Sequence, residues 1–413
     1  MKVLKKESHI NYIIFLLILF HFLFGFLIQE NAGGGKIDEI HILNNLKLFK
    51  SSSFLEINWL KYDSSSLPLF YIIYNFLIDT NIYSYILYLN LIVSIFSFIF
   101  FYKSLTLVLI DLSRDKILVL ASCLLLSPYF RTSTFFTLEE NLPILFILSG
   151  FYFFLKLKLS NFENIPNLIL CLISLGLAIY GRSNYIIIYI IVFFSLFRFK
   201  DFFFRNNLLA IFLTILFAIP GFFLIYNWGG IIPPIAQHRL NDNPIQFNLI
   251  PIILNIILIY ALPFFLLEFR KIKKFIFNKR MIYFIIVFPI YYFVFQKMEV
   301  NYYGGGSINK LLFLIFNEDY IKNLTIVISY FSLIIIYTLF FRNYFILSFL
   351  ILCSILFQNL LIIFQEYFDP ILMIMFLLFG GFECLKKNKT KYILISYFYF
   401  FLVSALFFQS QLA

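Results

Sequence analysis

Residues 10–28, INYIIFLLILFHFLFGFLI, form an apolar run broken by little more than Asn11 and His21. As a helix it is long enough to cross the roughly 30 Å hydrocarbon core of a bilayer. It is too long for the apolar core of a secretory leader and lacks a small-x-small cleavage pattern, so it is expected to be an anchor helix. Similar runs recur along the chain. Thirteen spans can be drawn, at 10–28, 85–102, 116–130, 143–159, 167–180, 184–198, 207–227, 249–268, 281–297, 323–341, 343–364, 370–385 and 392–410. Of the 413 residues 62% are hydrophobic and 13% charged, about half the charged share of a soluble domain. The alternating pattern of a membrane β-barrel is absent. The expected fold class is an all-α polytopic membrane protein, with residues 1–413 forming a single integral membrane domain.

The positions of the charges set the expected topology. With the N-terminus inside, Lys2, Lys5, Lys6, Lys103, Arg114, Lys116, Arg270, Lys271, Lys273, Lys274 and Lys386 all fall on inner segments. Most of the 32 basic residues are then inside and most of the 21 acidic residues outside. The net charge of +11 is therefore a topology signal, and no nucleic-acid partner is expected. The long outer intervals are 30–84, 228–248 and 298–322. Residues 67–78 are apolar but too short to span, and are expected to form an amphipathic or re-entrant helix on the outer face. Cys123, Cys171, Cys353 and Cys384 lie in or at the end of apolar runs without CxxC spacing, which argues against a disulfide framework or a zinc site. There is no evident internal repeat and no run of charges through the middle of a span, which weighs against transporter folds.

The outer intervals hold the chemistry-bearing residues. Asp38-Glu39-Ile40-His41 follows the first span closely. A carboxylate at a membrane interface is partly desolvated, so its pKa can rise toward that of a general base. Transfer of a sugar from a polyprenyl phosphate to a hydroxyl needs such a base. An exposed loop of ordinary charges would carry the same residues. In the turn 180–184, Arg182 is suited to clamp a phosphate, with Asn184 beside it, or to snorkel toward headgroups. Asn227-Trp228-Gly229-Gly230 ends a helix, and the loop after it carries His238. Gln365-Glu366-Tyr367-Phe368-Asp369-Pro370 packs two carboxylates into a very short connection. Arg131 with Glu139-Glu140-Asn141 reads as structural. The glycines at 304–306 read as a plain loop or a lid. No P-loop, GxSxG, HExxH or strand-linked GxGxxG is present.

Taken in order, these segments resemble one family, the membrane α-1,2-glucosyltransferases that use dolichyl-phosphate-glucose and have the GT-C fold. Lys36-Ile37-Asp38-Glu39-Ile40-His41 is similar to that family's Asp-Glu-Ile-Phe-His element after the first span. Ser66-Leu67-Pro68-Leu69-Phe70-Tyr71 is similar to its Thr-Pro-Pro-Gly-Leu-Tyr stretch, and Arg182 and Asn184 match its Arg-Gln-Thr-Asn motif. Asn227-Trp228-Gly229-Gly230-Ile231 resembles a Trp-Asn-Gly-Gly-Ile element with the first two residues exchanged. His238 falls near a family histidine, and Glu366-Tyr367 with Pro370 echoes a late Glu-x-Arg-Tyr segment. This chain places its histidine one residue early, has Pro233-Pro234 where the family has Gly-Asp, and lacks the late arginine, so donor sugar and linkage do not carry over.

The resemblance implies a GT-C-like bundle of about thirteen spans whose first outer loop carries short amphipathic helices. It implies an inverting glycosyltransferase that moves a hexose from a polyprenyl-phosphate donor to a lipid-linked glycan or another outer-face acceptor. Asp38 and Glu39 are the expected catalytic residues, with Asp38 as base. His41, Arg182, Asn184, Asn227, His238, Glu366 and Tyr367 are the expected substrate-binding residues. No cofactor or metal is expected, with assistance by a divalent cation left open. The expected partners are the lipid-linked donor, the glycan or lipid-linked acceptor and membrane lipids, and the expected location is a bacterial cytoplasmic membrane with the site facing outward. The competing readings are an O-antigen-type polysaccharide polymerase and a non-enzymatic lipid-linked glycan flippase or transporter. The first usually relies on arginine-rich outer loops, whereas the outer side here is net negative.

Overall fold

A computed structural model describes residues 2–31, 35–50, 57, 59–64, 67–78, 83–197, 204–239, 247–269, 273, 280–300, 304–360, 362–381 and 394. Among them the chain is helical, with no strand. In chain order the helices are α1 Lys2–Leu27, α2 Gly35–Lys50, α3 Leu69–Ile78, α4 Tyr83–Val108, α5 Arg114–Ala121, α6 Cys123–Leu126, α7 Pro128–Phe135, α8 Asn141–Leu159 and α9 Ile165–Gly181. They continue with α10 Ile186–Leu196, α11 Arg205–Trp228, α12 Ile250–Leu267, α13 Arg280–Phe295, α14 Gly306–Ile315, α15 Glu318–Phe340, α16 Tyr344–Leu356 and α17 Ile371–Phe379.

Six of these are long and apolar enough to cross a membrane, in α1, α4, α8, α11, α12 and α15. A seventh is added if α5–α6 and α7, bent by 66° at Ser127–Pro128, count as one broken span. The architecture is that of a polytopic helical membrane protein. The other expected spans differ. Those at 167–180, 184–198, 281–297 and 343–364 are apolar helices of 10–17 residues. Of the one at 370–385, residues Ile371–Phe379 form a helix of 9 residues and 382–385 lie outside the described residues, as does 392–410 apart from Leu394. The 343–364 run stops being α-helical at Leu356, where Phe357–Asn359 form a 3-10 turn.

Local chemistry accounts for several helix ends. The Asn164 side chain accepts from the Asn167 N–H at 3.0 Å and starts α9, with Pro166 in its first turn. Asn343 does the same for α16 through the Ile346 N–H. Gly229 closes α11 in the left-handed conformation, at φ 65°.

The described chain clusters into two compact units. The first comprises residues 19–110 and 130–238. Here α4 packs on α8, α8 on α9, and α9 on α11, while α3 lies against α2, α4 and α9. The expected helix at 67–78 forms as α3 and buries Phe70, Tyr71 and Tyr74 on one side. The second unit comprises residues 1–18, 111–129 and 239–413 and centres on α12, which packs on α14, α15 and α17. Within it the Asn11 amide donates to the Asp115 carboxylate at 2.5 Å.

One buried side chain organises the first unit. The Asn90 amide, in the middle of α4, donates to the carbonyls of Ser133 at 3.3 Å, Phe136 at 3.0 Å and Leu138 at 3.4 Å. Its oxygen accepts from the Tyr74 hydroxyl at 2.5 Å. Asn141, also buried, donates to Ser94 and Thr134 at 2.7 Å each and to the Phe130 carbonyl at 3.2 Å. The stretch that leaves α7 is thus held by side chains as well as by the backbone bonds from Phe136 N–H to the Thr132 carbonyl and from Leu138 N–H to the Phe136 carbonyl. Replacing Asn90 by Leu leaves those carbonyls and the Tyr74 hydroxyl buried without this partner, a loss of roughly 3 kcal/mol. Thermal unfolding of the detergent-solubilised chain should show it, while Thr106→Val, at an exposed hydroxyl that bonds its own helix, stays within about 0.5 kcal/mol of wild type.

Candidate functional site

The helix α2 carries the acidic motif. Asp38 lies in its first turn and is exposed. A carboxylate there is favoured by the helix dipole, which by itself gives Asp38 a structural reason to be present. Glu39 is half-buried, and its Oε1 accepts from the Thr137 N–H at 2.7 Å. His41 is exposed and faces Asp63, with Nδ1 and Oδ2 3.9 Å apart. Asp63 is fixed by Asn45, which accepts from its N–H at 3.1 Å and donates to its carbonyl at 2.8 Å.

The partner of α2 is segment 131–140. Arg131, buried in α7, forms an ion pair with Glu30. Gly35 packs so closely on this segment that a Cβ there would lie 2.4 Å from Thr132 Cγ2. Farther along, the Ser64 hydroxyl donates to Glu139 Oε1 at 3.2 Å. The first loop and segment 131–140 therefore meet through Glu30, Gly35, Glu39 and Ser64.

Glu139 also acts on a buried aromatic layer. Tyr62 and Tyr71 both have phenol pKa values pushed well above the usual range, first by burial and then by the Glu139 charge. Tyr62 stacks on Trp228 at 6.1 Å between centroids and lies edge-on to Trp59 and Phe49. The layer seats the loop 57–71 on the end of α11.

The remaining expected site residues divide. Arg182 and Asn184 are half-buried in the turn between α9 and α10, where Arg182 caps one helix and opens the 3-10 turn Ser183–Tyr185. Asn227 donates to the Phe223 carbonyl of its own helix at 2.7 Å, a structural use of that amide. The His238 backbone belongs to the 3-10 turn Pro234–Arg239, and its side chain lies outside the described residues. Glu366 and Tyr367 belong to the second unit and are described with it.

In that unit Glu366 is half-buried in the 3-10 turn Gln365–Tyr367, and Tyr367 stacks on Phe357 at 5.7 Å. Lys310, buried on α14, has its pKa lowered by burial, with the Glu366 charge acting in the opposite sense. Gln365 accepts from the Ser307 N–H at 3.0 Å and donates to the Tyr260 hydroxyl at 3.3 Å. Asp369 is 3% exposed and accepts from the Ser127 hydroxyl at the break between α6 and α7. Burial pushes its carboxyl from the ordinary 3.8 up to about 6, against the hydrogen bonds that favour ionisation.

Sequence reasoning assigned Glu139 a structural role and gave no weight to Thr137, Ser64 or Lys310. Their partners lie tens of residues away, as with Ser64 and Glu139, 75 positions apart. No local pattern carries that information. Among the described residues no group of three or more His, Cys, Asp or Glu is gathered as metal ligands. Comparisons with protein-family models, curated proteins and solved structures give no significant match to this chain.

Asp369 makes a pH-dependent contribution to stability. Its folded pKa lies above its unfolded one, so stability is full below about pH 4 and falls as the pH rises through about 6. The gap between 3.8 and about 6 corresponds to roughly 3 kcal/mol. Asp369→Asn is expected to leave the melting temperature near wild type at acidic pH and to raise it at pH about 8, well above that titration. A melting curve series across pH checks this.

Proposed function

We propose that this chain is a membrane glycosyltransferase acting on a polyprenyl-phosphate-linked sugar, with Asp38 as the general base. The observation that supports this most is the seating of an acidic helix turn on segment 131–140. Glu30, Glu39 and Ser64 each bond to that segment, and Asp38 sits exposed between the first two in sequence. A carboxylate that must abstract a proton needs a fixed position and access to the hydroxyl.

In the proposed reaction the acceptor hydroxyl attacks the anomeric carbon from the face opposite the phosphate. The bond from that carbon to the phosphate oxygen breaks, the configuration inverts, and the polyprenyl phosphate leaves with its electron pair. Asp38 takes the hydroxyl proton. Arg182 stabilises the departing phosphate, with Asn184 beside it. Glu39 holds the turn, and His41 with Asp63 forms a polar rim for the sugar. The acceptor class is a lipid-linked glycan or another hydroxyl-bearing surface molecule. In this reading the N-terminus lies inside a bacterial cytoplasmic membrane and the site on its outer face, an orientation that the distribution of basic residues favours.

Two measurements test this. Purified full-length chain is given a panel of radiolabelled polyprenyl-phosphate sugars with lipid-linked acceptors, and release of lipid phosphate is followed. Turnover is expected with at least one donor, and Asp38→Asn is expected to lower kcat by about a hundredfold or more. No turnover with any donor removes the enzyme reading in favour of a polymerase or a flippase, and a fully active Asp38→Asn removes the assigned base. For orientation, Lys36→Cys in intact cells is expected to react with a membrane-impermeant maleimide. Protection until the membrane is permeabilised would place the site on the inner side.

A further inference from the structure

Three ties join the start of α2 to segment 131–140, and they differ in kind. The ion pair of Glu30 with Arg131 is charged, and the bond from the Thr137 N–H to Glu39 is a backbone contact at 2.7 Å. The third is steric. At Gly35 a Cβ would stand 2.4 Å from Thr132 Cγ2, 3.1 Å from Leu138 Cδ1 and 3.2 Å from Phe136 Cδ2. Real Cβ atoms do not approach a neighbour to 2.4 Å, so any other residue requires either the Thr132 side chain or α2 to shift. Gly35 is not in a left-handed conformation, so its lack of a side chain is a requirement of close approach and not of backbone angle.

Gly35 and Glu39 are one helical turn apart and both meet segment 131–140, on the residues Thr132 and Thr137. Asp38 lies between them in that turn. The segment below is itself fixed by the amides of Asn90 and Asn141. Of the three ties, the contact of the glycine with the threonine methyl is the one that limits how closely α2 approaches this floor.

We infer that Gly35 and Thr132 are positioning residues for Asp38, and that segment 131–138 is the floor that aims the acidic turn at the acceptor hydroxyl. This rests on the reading of Asp38 as general base. It also reassigns Glu39 from a chemical role to a strut, because the carboxylate oxygen that meets Thr137 is engaged in holding the turn.

The test is a steric rescue. Gly35→Ala introduces the clash, and combining it with Thr132→Ser removes the atom the new methyl meets, keeping the hydroxyl. Leu138 and Phe136 offer flexible side-chain ends and need to give by only a few tenths of an ångström. Two readouts are taken on the full-length chain in detergent, with Thr132→Ser alone as the reference. The first is amide hydrogen exchange of residues 36–41, which needs no substrate. Exchange is expected to quicken in Gly35→Ala and return toward the reference in the double variant. The second is kinetics with the donor found above. In Gly35→Ala kcat is expected to fall between about ten- and a hundredfold with KM within about threefold, and to recover in the double variant.

If exchange is unchanged in Gly35→Ala, the steric tie is overturned whatever the protein's activity. If exchange quickens and recovers but kcat never moves, the positioning role is overturned. If the wild type turns over no donor, the exchange arm still decides whether the floor holds α2, and the failure belongs to the functional reading. A fall in KM-limited turnover with kcat intact would make the contact a binding determinant and overturn the assignment to the base.

Discussion

The buried amide of Asn90 is the constraint on which the first unit depends. An apolar helix gains nothing from carrying an asparagine at a position 1% exposed unless every polar atom near it is answered. Here the amide serves three carbonyls where α7 ends and the chain turns toward α8, and its oxygen serves Tyr74 of α3. The helix α4 thereby specifies the path of segment 133–138 and the seat of α3 at once. Asn141 anchors the other end of the same segment on Ser94 and Thr134. Because this floor is fixed from below, α2 can be placed against it from above with sub-ångström demands on a glycine.

Three carboxylates where the first loop meets segment 131–140 are answered by different kinds of group. Glu30 meets a buried guanidinium, Glu39 a backbone N–H and Glu139 a serine hydroxyl. A charged partner, a fixed dipole and a rotatable hydroxyl stabilise negative charge to decreasing degrees. This ordering fits a strut at the entry of the loop, a brace on α2 and a softer contact where the loop closes over the aromatic layer. Burial first, and then the Glu139 charge, raise the phenol pKa values of Tyr62 and Tyr71, which pack against Trp228 and Phe49.

Much of this architecture was legible before any coordinates. Residues 10–28, 85–102 and 207–227 announce long apolar helices, because crossing a bilayer requires continuous apolar length and leaves no room for ambiguity. The short helix at Leu69–Ile78 was equally readable, being apolar and flanked by polar residues. Hydropathy does not distinguish a helix that spans from one buried within a bundle, and in α17 Ile371 to Leu378 are all buried. The acidic motif of the candidate site was visible as a motif. What fixes it was not, since Thr137, Arg131 and Glu139 reach it only through the fold.

Asp369 and the acidic turn of α2 show two ways for a greasy chain to keep a carboxylate. Asp369 is almost wholly enclosed, with a serine hydroxyl from a helix break as donor, and its carboxyl stays protonated to about pH 6 because ionisation would cost more than that bond returns. Asp38 sits on an exposed helix turn whose dipole favours the charged form. The role proposed for Asp38 calls for the second kind, a carboxylate that is reachable and whose neighbours are held in place. The enclosed carboxylate serves packing of a broken helix and gains nothing from access. Burial alone therefore does not mark the reactive acid in a membrane protein of this composition. The acid proposed as base is instead an exposed carboxylate on a turn whose neighbours on both sides, Gly35 and Glu39, are held by close contact.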